Sequence, residues 1–161
     1  MGVAARIAVV VTVSDGVSSG IREDTSGDAL GAILSEAGFE VRRAVVPDEI
    51  PAIVAALQKS APEASLIVTT GGTGLGPRDV TPEATAQVLE REAPGLTHMM
   101  MSRGLESTAM AGLSRARAGS LGHTLVINVP GSARGAVDGL EAVLEVIPHA
   151  LDLLSGDTEH R

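Results

Sequence analysis

Hydrophobic positions along this chain fall into two patterns. Short unbroken runs of branched apolar residues alternate with longer stretches in which apolar residues recur at helical spacing. Ile7-Ala8-Val9-Val10-Val11-Thr12-Val13 is the first run; it is too continuous for a sheet with one wet face and predicts a strand buried on both sides. Ser14 to Gly20 follows as a polar loop. Leu30, Ile33 and Leu34 share one face of a helix expected over Ser26 to Ala37, with Gly38 placed to end it. Phe39 to Val46 predicts a second strand, closed by Pro47-Asp48. Ile50, Ile53, Val54 and Leu57 line a second helix from Glu49 to Ser60, with Pro51 in its first turn. Leu66 to Thr70 predicts a third strand. After a glycine-rich loop, Thr81 as cap and Pro82 as first residue open a helix that turns Ala84, Val88 and Leu89 inward.

Pro94-Gly95 breaks that helix, and Leu96 to Leu113 reads as helix in two pieces. Ser114 to Gly122 reads as irregular and basic. Thr124 to Val129 is the fourth expected strand, with Pro130-Gly131-Ser132 as the turn after it. A long closing helix is expected from Ala136 to Leu154, with Pro148 as its point of kinking and a frayed polar tail beyond. Buried strands alternating with amphipathic helices predict an α/β fold, three layers deep (αβα), around a mostly parallel central sheet. Such sheets bind ligands beyond the carboxyl ends of their strands. All four expected exits carry polar chemistry: Ser14-Asp15, Pro47-Asp48, Thr69 through Asp79, and Asn128 through Ser132.

Composition narrows the chemistry. The 161 residues fit one domain, 1–161, without repeat or linker. Cysteine is absent, which excludes disulfides, zinc–thiolate sites and thiol chemistry. Phe39 is the sole aromatic residue, so no base-stacking platform exists. The net charge of -8 argues against broad nucleic-acid binding. No apolar run approaches a membrane span and no leader pattern opens the chain, so a cytoplasmic protein without membrane contact is expected. An anionic small ligand remains compatible with the charge, because backbone amides, a few arginines and a metal act locally.

The stretch from Gly71 to Asp79 is where such a ligand would sit. Gly71, Gly72, Gly74 and Gly76 permit close approach to bare N–H groups, and a helix start follows. It is not a Walker loop, which needs Gly-Lys followed by Ser or Thr. It is not a dinucleotide fingerprint either, since the sixth place from Gly72 is Pro77. Asp79 and Asp48 each read two ways: as turn or helix caps, or as hard oxygen ligands that bracket one Mg²⁺. Asp24-Thr25-Ser26-Gly27 matches a GTPase-like pattern but reads as a helix cap. The histidines His98, His123, His149 and His160 have no metal-ligand spacing and read as structural or surface. Met99-Met100-Met101 reads as core or subunit contact.

Thr69-Thr70-Gly71-Gly72-Thr73-Gly74 with Arg78-Asp79-Val80-Thr81-Pro82-Glu83 resembles the signature of the molybdopterin-binding family. Ser14-Asp15, Pro47-Asp48 and Asn128-Val129-Pro130-Gly131-Ser132 fall in that family's order, so the resemblance spans nearly the whole chain. Within the family it is similar to the stand-alone molybdopterin adenylyltransferases and to their relatives called molybdenum cofactor biosynthesis protein B. The resemblance implies the molybdopterin-binding-domain fold and Mg-ATP-dependent adenylylation of molybdopterin, with release of pyrophosphate. It also implies a homotrimer and hand-over to a molybdenum insertase. Asp48 and Asp79 take the catalytic and metal-holding roles. Thr70, Gly71, Gly72, Thr73, Gly74, Gly76 and Arg78 cradle phosphate, and Ser14, Asp15, Pro130, Gly131 and Ser132 line the rest. Three other readings compete. The pocket would bind molybdopterin without transfer; the chain would be a regulatory domain of the kind found fused in larger relatives; or it would be an unrelated nucleotide binder. Two further expectations are that the strand exits form an electropositive cup, and that Gly72→Val blocks ligand approach while leaving the fold intact.

Overall fold

The computed structural model describes residues 4–158. His160 and the end of the expected polar tail lie outside the described residues. One six-stranded sheet organises the chain, in the order β2-β1-β3-β6-β5-β4. Strands β1 (Ile7–Val13), β2 (Glu40–Val46), β3 (Leu66–Thr70) and β6 (Thr124–Val129) run parallel, and β5 (Ala118–Leu121) and β4 (Arg91–Glu92) extend the sheet antiparallel to their neighbours.

Alternating side chains of the central strands feed two separate cores. Ala8 and Val10 of β1, Leu66 and Val68 of β3, and Leu125 and Ile127 of β6 point to one face. There they meet α2 (Thr25–Glu36), α5 (Pro94–Ser107), α6 (Ala133–Leu144) and α7 (Ile147–Leu154) through Leu30, Leu34, Met100, Leu140, Val143, Ile147 and Leu151. Val9, Val11, Ile67 and Val126 point to the other face, against Ile53 and Leu57 of α3 (Ile50–Ser60) and Ala84 and Val88 of α4 (Thr81–Val88). Each fully buried Leu or Ile contributes about 1.5–3 kcal/mol. Burial on both faces explains why the strands read as unbroken apolar runs. The edge strand β2 is the exception: Arg42 pairs with Glu40 and Glu63, and Arg43 pairs with Asp24 and Asp28, which blunts a free edge with charge.

Local signals set the boundaries. Asp24 caps α2, accepting from Gly27 N at 3.0 Å, so the cap reading of that motif holds. The helix closes as a Schellman motif, with Phe39 N donating to Leu34 O and Gly38 N to Ser35 O, each at 3.0 Å.

Five expectations need correction. The segment after Ser14 contains a one-turn helix, α1 (Asp15–Ser18). Val80, not Thr81, is the N-cap of α4, and the Thr81 hydroxyl instead donates to Gly71 O at 2.9 Å. Pro94-Gly95 does not end α4, which stops at Val88; the two-residue strand β4 follows, too short for any periodicity to register, and Pro94 opens α5. The stretch taken as irregular holds β5, which pairs with β6 through the two-residue turn Gly122-His123. The closing helix is two helices, α6 beginning at Ala133 and α7 at Ile147; Pro148 sits in the first turn of α7, where its missing N–H costs nothing.

Candidate functional site

Strand order places β1 in the middle of a reversal: the chain moves from β1 outward to β2, then crosses back to β3. The carboxyl ends of β1 and β3 therefore form a topological switch point, the usual ligand crevice of open α/β sheets. Every sequence-predicted site residue lies at or near this edge.

The exits of β1 and β2 are tied together by two aspartates. Asp15 N donates to Asp48 Oδ2 at 2.8 Å, and Asp48 N donates back to Asp15 Oδ1 at 3.0 Å. Ser14 caps α1, accepting from Val17 N at 3.2 Å. Arg78, from the glycine loop, forks onto Asp15 with Nε to Oδ2 at 3.0 Å and Nη2 to Oδ1 at 3.1 Å. That hydrogen bonding from Arg78, helped by the Asp48 amide, holds the Asp15 carboxyl below its ordinary range. Asp48 shifts the other way: partial burial raises its pKa, and the charges of Asp15 and Asp79 push in the same direction. Both Asp15 and Asp79 thus act electrostatically on Asp48. The expected electropositive cup is, in its side chains, acidic: three aspartates face one arginine, Arg78, whose charge is engaged by Asp15. The carboxylates of Asp48 and Asp79 supply oxygens of the kind a hard divalent cation takes.

The glycine loop connects β3 to α4. Gly71 and Gly72 carry φ of +101° and +70°, values that L side chains rarely adopt. A Cβ on Gly71 would collide with the Val13 carbonyl; one on Gly72 would run into Thr81 Oγ1 and lie 3.2 Å from Asp48 Oδ1. Gly72→Val therefore strains the connection itself, which corrects the expectation of an intact fold. Asp79 folds back over the loop, its Oδ2 accepting from Gly76 N at 2.8 Å. Gly74 and Gly76 leave room for that carboxylate, since a Cβ would lie 2.9 Å and 2.8 Å from it. The Thr70 hydroxyl, expected in the phosphate cradle, is buried and bonds Pro130 O at 2.8 Å and Ser26 Oγ at 3.0 Å. It straps the β6 turn to β3, so that Gly131 packs against Gly71.

On the β6 side of the loop opens a cavity of about 820 Å³. Gly72, Thr73, Gly74 and Asp79 form one wall, and Pro130, Gly131 and Ser132 another. Ser132 caps α6, accepting from Gly135 N at 3.1 Å, so this helix start opens on the cavity. Ser14, Asp15 and Asp48, at the β1 and β2 exits, do not line it, and neither does Arg78 of the loop, whose side chain reaches to Asp15. Sequence reasoning missed the third wall, made by Thr97, His98, Met101 and Ser107 of α5, Met110, and Asp138 of α6. Ser107 Oγ donates to Asp138 Oδ2 at 2.9 Å. No sequence signal marked this wall; in the folded chain α5 runs 14 residues yet buries only Met100, because one of its faces is turned to the cavity. Of the methionine run, Met100 is core, Met101 lines the cavity and Met99 is exposed. His98 lines the cavity too, and His123 bonds Leu154 O at 2.6 Å. Among the described residues no group of three or more His, Cys, Asp or Glu could hold a metal unaided.

Fold and site together define an α/β protein with a ligand crevice at a sheet switch point, bounded by an amide-rich loop and an acidic cluster. Residues 9–149 match the family described as "Probable molybdopterin binding domain", and the chain belongs to this family. A Helicobacter pylori protein named molybdopterin adenylyltransferase is 40% identical over 153 residues, covering 92% of this chain and 87% of its own length. The Drosophila melanogaster molybdenum cofactor synthesis protein cinnamon is also 40% identical, over 152 residues, but this chain spans only 25% of it. Among solved structures, the Thermus thermophilus molybdopterin biosynthesis enzyme MoaB is 49% identical with a TM-score of 0.88, covering 94% of this chain and 97% of that one. The Mog protein of Mycobacterium ulcerans is 38% identical, also with a TM-score of 0.88, covering 93% of this chain and 99% of that one.

Proposed function

We propose that this chain acts in molybdenum cofactor biosynthesis as a molybdopterin adenylyltransferase. In this reading a terminal phosphate oxygen of molybdopterin attacks the α-phosphorus of ATP. The bond from that phosphorus to the bridging oxygen breaks, and pyrophosphate leaves with the electron pair. The nucleophile is already ionised, so no strong general base is required. The barrier is anion repulsion and charge developing on the phosphates, which positioning and preorganised donors lower. The observation that supports the reading is that Asp48 and Asp79 both reach the glycine loop, Asp48 Oδ1 lying 3.2 Å from where a Cβ on Gly72 would stand and Asp79 Oδ2 accepting from Gly76 N at 2.8 Å, beside a cavity large enough for a pterin.

The donor set fits Mg²⁺. Asp48, crowded by two further carboxylates, is the natural ligand, with Asp79 beside it; phosphate oxygens and water would complete the shell. When bound, the ion would neutralise phosphate charge. Loop amides and the start of α6 would receive the molybdopterin phosphate, and Arg78 would leave Asp15 to meet the nucleotide. Asp138, a carboxylate able to accept paired ring N–H groups, would read the pterin. The family resemblance adds a cytoplasmic homotrimer that passes its product to a molybdenum insertase. Protein mixed with Mg-ATP and molybdopterin should release one pyrophosphate per adenylylated pterin; binding of the pterin without pyrophosphate would leave a carrier instead.

A further inference from the structure

Arg115 lies between the 3₁₀ turn Ala109–Leu113 and β5, far in sequence from the glycine loop, yet it is that loop's main anchor. Its backbone N–H donates to Thr73 O at 2.8 Å. Its side chain donates from Nε to Gly74 O and from Nη2 to Asp79 O, both at 2.8 Å, and Nη1 pairs with Glu83 on α4. One residue thus grips both limbs of the loop and the helix it leads into. The planar guanidinium fork is suited to holding several carbonyls at fixed angles, which a lysine cannot copy.

This grip has a consequence for the opposite side of the loop. In a planar trans peptide the C=O and N–H point in opposite directions. With the carbonyls of Thr73 and Gly74 turned onto Arg115, the amides of Gly74 and Leu75 are turned away from it, and Gly74 forms part of the cavity wall. We infer that Arg115 is a positioning residue, which holds the loop carbonyls so that the loop amides and Asp79 face the anionic ligand. The inference rests on the phosphate-binding reading of the loop given above.

The test compares wild type with Arg115→Lys, Arg115→Gln and Glu83→Gln. ¹⁵N relaxation of the free proteins reports loop order without any ligand. The amides of Leu75 and Gly76 should have order parameters near ~0.85 in wild type and fall below ~0.6 in both Arg115 variants, while the Gly74 amide, whose peptide carbonyl is held by the backbone N–H of residue 115, should stay ordered. Pyrophosphate release should drop in kcat by roughly 100-fold in those variants, the scale of misplacing a reacting group by about 1 Å, while KM for molybdopterin moves far less. Glu83→Gln, which spares the bonds to loop carbonyls, should keep an ordered loop and most of the turnover. Arg115→Gln provides the reading if Arg115→Lys does not fold. Unchanged order parameters in a folded Arg115 variant would overturn the inference, as would a loosened loop with undiminished kcat. A wild type that releases no pyrophosphate would remove the transferase reading, and the relaxation data would still decide the role of Arg115.

Discussion

Asp79 performs two tasks with one side chain, and a pair of substitutions separates them. Its Oδ2 closes the loop through Gly76 N, while its charge acts on Asp48. Asp79→Asn keeps an acceptor for Gly76 but removes the charge; Asp79→Ala removes both. If the charge serves catalysis, both variants should lose at least ~100-fold in adenylyl transfer, about 2.7 kcal/mol of transition-state stabilisation. Molybdopterin affinity should fall much less in Asn than in Ala. An Asn variant with wild-type pyrophosphate release would reduce Asp79 to a loop fastener. At this scale the sequence was informative wherever a residue's position is its role. Asp48 follows a proline at a strand end and Asp79 closes a glycine loop, so both stood out. Arg115 did not, because nothing local marks an arginine whose side-chain partners lie 32 to 41 residues away. Thr70 misled for the opposite reason: its place beside the glycines suggested a ligand contact, while packing commits its hydroxyl to Pro130 and Ser26.

Elements were legible in proportion to how continuously they are buried. The bounds of β1, β3 and β6 match the apolar runs, because strands wet on neither face leave no polar interruptions to misread. β5, Ala-Gly-Ser-Leu, has no β-branched or aromatic residue, and its strand character comes from pairing with β6 rather than from its own preference. The cavity wall on α5 was illegible because it is assembled from helices that meet only in the folded chain. Asn128 joins these elements. From β6 its Nδ2 donates to Thr69 Oγ1 of β3 at 2.8 Å and to Thr85 Oγ1 of α4 at 3.1 Å, and its Oδ1 accepts from Arg117 N, just before β5, at 3.0 Å. It is fully buried, and among the described residues no buried side-chain N or O lacks a partner. Asn128→Ala would strand the Arg117 N–H and leave a hole, at a cost of about 2–3 kcal/mol. Urea unfolding should register that loss, and a midpoint within error of wild type would mean the site edge is held by other contacts.

Across the whole molecule the surplus of acidic residues, a net charge of -8, meets its sharpest local conflict at Asp48. Asp15, hydrogen-bonded by Arg78 and then by the Asp48 amide, and Glu83, hydrogen-bonded by Arg115, have folded pKa values below their unfolded ones. Their contributions are present above the ordinary carboxylate range, near ~4, and disappear as pH falls through the lowered values. Asp48 has the opposite sign. Burial first, and repulsion from Asp15 and Asp79 next, place its folded pKa above the unfolded one. Its ionised form therefore costs stability at neutral pH, and the cost is relieved as pH falls through the raised value. Asp48→Asn keeps an acceptor for Asp15 N while removing the charge, so at pH 7 it should unfold at higher urea than wild type. That advantage should shrink as the buffer is acidified through the raised pKa toward ~4. Mg²⁺ should raise the midpoint of wild type and leave that of the variant nearly unchanged, because only wild type holds the repulsion that a cation relieves. The same variant should lose pyrophosphate release. A less stable Asp48→Asn protein at pH 7, or equal stabilisation of both proteins by Mg²⁺, would show that the acidic cluster is not held in readiness for a cation. Stability forgone at this one carboxylate, by charge repulsion rather than by a missing hydrogen bond, is the form a binding site takes in a protein whose described residues leave no buried side-chain N or O unpaired.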